Sequence, residues 1–128
     1  MPVLNNLLYL SIGAVLGALA RFAFTHYSSQ ISEHHGFPIG TLLVNVIGSF
    51  LVGYVLTWMA DPSHDRLRIF AATGFCGAFT TFSAFAYESV AYWHAGRRLE
   101  FLAKIALNNV LSLLAVIGGI ALRNGQSG

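Results

Sequence analysis

Charged residues are scarce in this chain: Asp, Glu, Lys and Arg make up 9% of its 128 residues, whereas hydrophobic residues make up 55%. A soluble domain typically carries about 25% charged residues, because polar groups must cover the surface that folding leaves exposed. The composition therefore indicates a membrane protein. The seven basic residues are also too few and too scattered to form the basic surface that nucleic acids require, so we expect no nucleic-acid partner.

Cysteine occurs once, as Cys76, so no disulfide can form within the chain. Because Cys76 lies inside an apolar segment, we expect a small buried side chain there. His26, His34 and His35 cluster ahead of the second apolar segment. A metal site needs a defined ligand geometry, which this cluster does not establish. We interpret the three histidines as solvated residues of the first loop.

Four segments lack charged residues altogether: 1–20, 36–60, 69–87 and 105–122. Each is close to the length of one bilayer crossing, about 17 to 25 residues. The connections between them are short. The sequence therefore predicts an all-α membrane protein with four transmembrane helices in a single domain, residues 1–128, with both termini on the same side.

The distribution of Lys and Arg between the two sides of the membrane normally sets orientation. Here three cations fall on the side of the termini: Arg66, Arg68 and Arg123. Four fall on the other side or near its helix ends: Arg97, Arg98, Arg21 and Lys104. Because this bias is close to zero, we hypothesise dual topology, in which two oppositely inserted copies pair about an axis in the membrane plane.

Polar residues recur every four positions in the second and fourth segments and so share one face of each helix: Thr41, Asn45, Ser49 and Gly53, then Lys104, Asn108 and Ser112. Taken singly, Asn45 could form interhelical hydrogen bonds or contact a substrate, but the repetition favours a functional track. For Lys104 we expect the side chain to snorkel to water. Arg21 shares a stripe with two glycines and must reach a partner or the interface.

The third segment crowds poor helix formers, among them Gly74, Gly77, Thr80, Thr81 and Ser83, into the middle of a crossing. This pattern predicts a break in the third helix. Irregular backbone at membrane depth occurs where it is buried in protein or lines a cavity, and its freed carbonyls can bind a cation. A glycine-rich packing face without an ion explains the same residues equally well.

Phe82 and Phe85 lie three positions apart, on nearly the same helical face. Such aromatic pairs usually belong to the core or face lipid, but the positive edges of the rings could also attract a passing anion. Glu88 follows as the only acidic residue within the apolar region. An intramembrane carboxylate favours a functional role, although Glu88 is near enough to a segment end to be interfacial.

Three motifs, in order on three of the four segments, resemble those of the Fluc (CrcB) fluoride channels. They are Gly17-Ala-Leu-Ala-Arg21, then Gly40-Thr-Leu-Leu-Val-Asn45-Val-Ile-Gly48, then Thr73-Gly-Phe-Cys-Gly-Ala-Phe-Thr-Thr-Phe-Ser-Ala-Phe85 followed by Glu88. The resemblance covers residues 13–123. It departs from the family pattern at Ala84, at the pair Ala86-Tyr87 and at Lys104, where we would expect a neutral residue.

The resemblance implies an antiparallel dual-topology homodimer in the cell inner membrane, with two pores that export fluoride passively from the cytoplasm, and no enzymatic activity. It also implies a structural sodium ion held by backbone carbonyls of Gly77 and Thr80. The implied pore residues are Asn45, Phe82 and Phe85, and the implied vestibule arginine is Arg21. The implied polar track of the fourth helix consists of Asn108 and Ser112, and the implied carboxylate of the third helix is Glu88.

Taken with the resemblance, the polar residues suggest how fluoride would pass. A small, strongly hydrated anion needs hydrogen-bond donors in place of its water; we expect these from Asn45, the hydroxyls of Thr81, Ser83 and Ser112, and the ring edges of Phe82 and Phe85. The rival interpretation is a small proton-coupled multidrug transporter, which also has four spans and dual topology. It needs a central carboxylate, which the first segment lacks. A non-transporting membrane subunit would leave the polar tracks unexplained.

Overall fold

Four apolar helical segments make up the fold of this protein. The computed structural model describes residues 2–33 and 36–128, where every regular element is helical; His34 and His35 lie outside the described residues. Each segment is long and apolar enough to cross a membrane, which confirms the four-span prediction. They are α1 (Pro2–Ser32), α2 (Ile39–Trp58), a third span (Pro62–His94) and α5 (Arg98–Gln126).

The helices extend well beyond the charge-free segments that predicted them. Helix α1 continues to Ser32, because neither Gly nor Pro interrupts the chain between Arg21 and Gly36. The prediction that His26 belongs to a loop is therefore wrong: its ring lies on α1, stacked on Phe22. Arg21 likewise lies in the interior of α1, not close to its end.

Hydroxyl side chains at the C-terminal end of α1 are satisfied by the helix itself. Thr25 Oγ1 donates to the Arg21 carbonyl oxygen at 2.8 Å, and Ser32 Oγ donates to the Ser28 carbonyl oxygen at 2.9 Å. Ser29 Oγ donates to a carbonyl of the preceding turn at 2.6 Å. Bonds of this kind need neither water nor another helix. The hydroxyl groups of Thr25, Ser29 and Ser32 therefore all have a hydrogen-bond acceptor within α1.

The third span changes helical type along its length. Its first part, α3 (residues 62–79), runs through a 3₁₀ turn, a short α-helical stretch and the π-helix Ile69–Cys76 before a last α-turn. Asp61 is the N-cap residue just before α3, and hydrogen bonds from Ser63 hold the pKa of Asp61 below its usual value. Thr80 and Thr81 then have extended backbone dihedrals, with φ of −82° and −148°. Helix α4 (Phe82–His94) follows.

Small residues set the close packing of the helices. Helix α2 packs most extensively against α5, and α1 against the π-helical part of α3. Gly17 lies against the Phe75 carbonyl and Gly119 against the Phe50 carbonyl, so closely that a Cβ atom would overlap the carbonyl oxygen. Glycine lets helix backbones approach in this way. The two helix pairs thereby bring the polar faces of α2 and α5 beside Thr80 and Thr81.

Candidate functional site

A side-chain amide holds the extended segment of the third span in place. Asn45 Nδ2 donates to the Thr81 carbonyl oxygen at 3.1 Å and to Asn108 Oδ1 at 2.8 Å, while Asn45 Oδ1 accepts from the Thr81 N–H at 2.8 Å. An amide has two donor hydrogens, and both are used here. Asn45 therefore acts on the backbone of Thr81, and its donors are not free for a ligand.

A cleft around this amide, the core cleft, has a volume of about 330 Å³. Its walls include Asn45, Thr81, Phe82, Asn108 and Ser112, together with Gly77 and Thr80. Ser112 Oγ is buried and has no hydrogen-bond partner among the described residues. Asn108 Nδ2 likewise makes no hydrogen bond within residues 2–33 and 36–128. Both residues line the cleft, and these two donors have no partner among the described residues.

A second, middle cleft of about 680 Å³ lies between α1, α2 and α4. Thr81 lines both it and the core cleft, and Ser83 and Glu88 line its other parts. Arg21 also faces it and donates from Nη1 to the Thr80 carbonyl oxygen at 3.1 Å. The guanidinium thus has the partner that a charge within a membrane span requires, and it stabilises a carbonyl freed from helical bonding.

The third, mouth cleft has a volume of about 350 Å³ and lies beside the connection between α1 and α2. Ser32, Glu33 and Pro38 are among its lining residues, and it shares Thr25, Thr41 and Glu88 with the middle cleft. Neighbouring clefts therefore have walls in common: Thr41 and Glu88 join the mouth to the middle cleft, and Thr81 joins the middle to the core cleft. Polar groups from three helices follow one another along this series.

Lys104 is buried, with 3% of its side chain exposed, and does not reach water. The expectation that it snorkels is therefore wrong. Its Nζ lies 2.6 Å from Glu88 Oε2 and 5.4 Å from the centre of the Phe37 ring, and it donates to the Pro38 carbonyl oxygen at 3.5 Å. Thr41 Oγ1 donates to Glu88 Oε1 at 2.7 Å. A carboxylate on the neighbouring helix replaces the water that the ammonium would otherwise need.

The two phenylalanines at the start of α4 contact each other but differ in exposure. Their ring centroids lie 5.5 Å apart in an edge-to-face arrangement. Phe82 is 75% exposed and lines the core cleft, whereas Phe85 is 6% exposed and lines none of the three clefts. Within the single chain, Phe82 is thus the ring that faces the polar groups, and Phe85 supports it from behind.

The structure brings most of the predicted site residues together along the three clefts, apart from Phe85 and Lys104, which stand behind them. Sequence reasoning missed the contact of Thr41 with Glu88 and the part played by the Pro38 carbonyl. One available signal was that Glu88 and Lys104 carry opposite charges in two apolar spans. Such charges pair with each other as a rule, so the pair could have been found.

Comparison with known proteins gives consistent relatives. A family model described as CrcB-like protein, Camphor Resistance (CrcB), matches residues 8–120. The chain is 40% identical over 124 residues to the fluoride-specific ion channel FluC of Koribacter versatilis (strain Ellin345), an alignment that covers 93% of this chain and 95% of that protein. It is 42% identical over 120 residues to the protein of the same name from Methanopyrus kandleri, covering 91% and 88%, and 39% identical over 115 residues to that from Campylobacter lari, covering 89% and 93%. This chain belongs to the CrcB-like protein family.

Proposed function

We propose that the protein is a fluoride-selective ion channel that gives passive export of fluoride from the cytoplasm, as a multi-pass protein of the cell inner membrane. The observation that carries this proposal is the core cleft, where neutral donors of Asn108 and Ser112 remain free beside the Phe82 ring. The names of the relatives support fluoride as the ion. No catalytic step is needed for passive movement of an ion.

Neutral donors suit a small and strongly hydrated anion. Fluoride gives up part of its water to hydrogen bonds from Asn108, Ser112 and the hydroxyls of Thr81 and Ser83, and to the positive edge of Phe82. Asn45 has a different part from the one expected from the sequence, because its donors fix the Thr81 backbone. None of these donors carries a full charge, so binding stays weak enough for release.

A broken third helix and an inverted homodimer belong to the same proposal. The extended dihedrals of Thr80 and Thr81 support the break. Arg21 and Lys104 lie well inside the helices, and the positive residues near the ends of the spans number three on one side and two on the other, Arg66, Arg68 and Arg123 against Arg97 and Arg98, which supports dual topology. The exposure of Phe82 beside a polar cleft supports a second copy that covers it.

Dual topology predicts that a tag placed after Gly128 is accessible from both faces of the membrane in the same cells. The physical reason is that positive charges do not favour either orientation strongly. Labelling intact and permeabilised cells with an impermeant reagent measures this, and light scattering in detergent gives the mass of the assembly. Accessibility from one face only, or a monomeric mass, would contradict the inverted homodimer.

We also propose that a structural sodium ion binds backbone carbonyls of Gly77 and Thr80. The Thr81 N–H, which a continuous helix would direct to the Gly77 carbonyl, donates instead to Asn45 Oδ1, so that carbonyl is left to bind another group. The Thr80 carbonyl accepts from Arg21 and keeps one lone pair. Both residues line the core cleft, so their donor set is compatible with a cation held by oxygen atoms.

Removal of sodium is expected to weaken the dimer and to reduce fluoride flux, because carbonyl groups at membrane depth that make no helical hydrogen bond would lose the cation that binds them. Dimer stability in detergent and flux in liposomes are compared in sodium and in N-methyl-D-glucamine buffers of equal ionic strength. Addition of sodium to the depleted sample should restore both. Unchanged dimer stability and flux after exhaustive depletion would remove sodium from the proposal.

The channel function itself is tested by reconstitution. Liposomes loaded with fluoride release it through the purified protein, and a fluoride electrode records the rate after the membrane potential is collapsed by an ionophore. Rapid release without a proton gradient is expected, with far slower release of chloride. The rival multidrug transporter is not favoured, because Glu88, which would have to exchange protons, is bonded to Lys104 and Thr41. Absence of fluoride release would reject the channel.

A further inference from the structure

The buried ion pair between Glu88 and Lys104 has a specific place relative to the clefts. Glu88 lines both the mouth and the middle cleft, with 27% of its side chain exposed, whereas Lys104 lines none of the three and is 3% exposed. The carboxylate therefore faces the space and the ammonium stands behind it, 2.6 Å away. Lys104 therefore neutralises the charge of Glu88 from the side that faces away from the clefts.

The charge of Glu88 acts on an anion at the wall that the mouth and middle clefts share. Any anion that moves from the mouth cleft to the middle cleft passes walls that Glu88 and Thr41 contribute to both. Thr41 has already donated its hydroxyl to Glu88, and Glu33 adds a second acidic residue to the mouth. The cation of the middle cleft, Arg21, donates to the Thr80 carbonyl, so the described ion-pair partner of Glu88 is Lys104.

We propose that Lys104 is a positioning residue for anion passage: it neutralises Glu88 from behind, so that the wall shared by the mouth and middle clefts does not repel an anion. This inference rests on the proposed channel function. An unpaired carboxylate at this wall would raise the energy of a nearby anion, since charges interact strongly where water is restricted. An unpaired ammonium would have the opposite effect and would hold the anion too firmly.

The pair could instead act only as a bond between helices, because it links α4 to α5 and, through Pro38, to the segment before α2. The two roles predict different results when the partners are changed one at a time. Loss of a bond between helices weakens the protein whichever partner is removed. Loss of neutralisation shifts the affinity for fluoride in opposite directions for the two partners.

The experiment measures initial fluoride efflux from liposomes over a range of fluoride concentrations for the wild type and four variants. We expect Lys104→Met to slow efflux at low fluoride by about tenfold or more, because one unpaired negative charge faces the path. We expect Glu88→Gln to lower the half-saturating fluoride concentration by about threefold or more, together with the maximal rate. The double variant Glu88→Gln/Lys104→Met restores neutrality and should return to within about threefold of the wild type, as should Lys104→Arg, which keeps the charge.

A matched control removes the acidic partner of an ion pair away from the clefts. Arg97 Nε lies 3.0 Å from Glu100 Oε1 in an exposed pair, and neither residue lines the three clefts. Glu100→Gln, the same chemical change as Glu88→Gln, should leave efflux unchanged, because it alters none of the positive charges that set the topology. If Lys104→Met fails to fold, the direction of the shift in Glu88→Gln and its reversal in the double variant still decide the matter, because the double variant leaves no buried charge unpaired.

The inference is overturned if the wild type conducts fluoride while Lys104→Met matches it, if Glu88→Gln raises or does not change the half-saturating concentration, or if the folded double variant stays as slow as the worse single variant. Failure of the channel proposal looks different, because the wild type itself would then release no fluoride. The two failures are therefore distinguishable in the same set of measurements.

Discussion

Replacement of Asn45 by Asp is expected to abolish most fluoride flux. The amide nitrogen of Asn45 donates to two oxygen atoms, the carbonyl of Thr81 and Oδ1 of Asn108. An aspartate oxygen at that place would face both acceptors without a hydrogen, and it would add a charge to a buried position. Two hydrogen bonds lost and one charge gained correspond to a reduction of flux of about a hundredfold or more, measured as fluoride efflux from liposomes.

The control for Asn45→Asp is the same chemical change at an exposed residue. Asn5 lies in the first turns of α1, where a negative charge is compatible with the helix dipole. Asn5→Asp should conduct like the wild type. The assembly state of Asn45→Asp is checked by light scattering, so that loss of flux is not confused with loss of the dimer. Normal flux through Asn45→Asp would show that the Thr81 backbone does not depend on this amide.

Replacement of Phe82 by Ile is expected to produce the second large loss. Phe82 lines the core cleft, and its ring packs edge to face against Phe85. Ile keeps the apolar character of the side chain but lacks the positive ring edge that would attract an anion. We expect fluoride efflux to fall by about tenfold, since an aromatic edge contributes up to about 1.5 kcal/mol to a favourable contact. Chloride efflux should remain low.

An edge-to-face pair outside the clefts supplies the control for Phe82→Ile. Phe101 and Trp93 have ring centroids 5.2 Å apart, at the end of the molecule where α4 meets α5. Phe101→Ile removes an aromatic ring from such a pair without altering the core cleft, so fluoride efflux should stay close to that of the wild type. Equal losses in both variants would mean that the effect of Phe82 is one of packing alone.

The sequence predicted the spans well, because hydropathy depends on each segment separately. The absence of charge in 36–60 is enough to predict α2, and the four-residue spacing of Thr41, Asn45 and Ser49 is enough to place them on one face. The helix ends were predicted less well. His26 was expected in a loop, but a helix that has begun continues while each residue adds a hydrogen bond, even where charged and polar residues return.

Contacts between distant residues were beyond the reach of periodicity. Asn45 and Thr81 are 36 positions apart, and nothing in either local pattern specifies that the amide of one meets the backbone of the other. The same limitation applies to Lys104. Taken alone, a lysine near a segment end is expected to extend to water, and only the packing of α4 against α5 brings Glu88 within 2.6 Å of it.

The length and self-bonded hydroxyls of α1 affect how the protein fits different lipids. Its 31 residues extend for about 46 Å at 1.5 Å per residue, whereas the hydrocarbon layer is about 30 Å thick. The surplus must be accommodated by tilt or by projection. Because Thr25, Ser29 and Ser32 already donate within the helix, these three hydroxyls keep their hydrogen bonds whether the bilayer around the last turns of α1 is thick or thin.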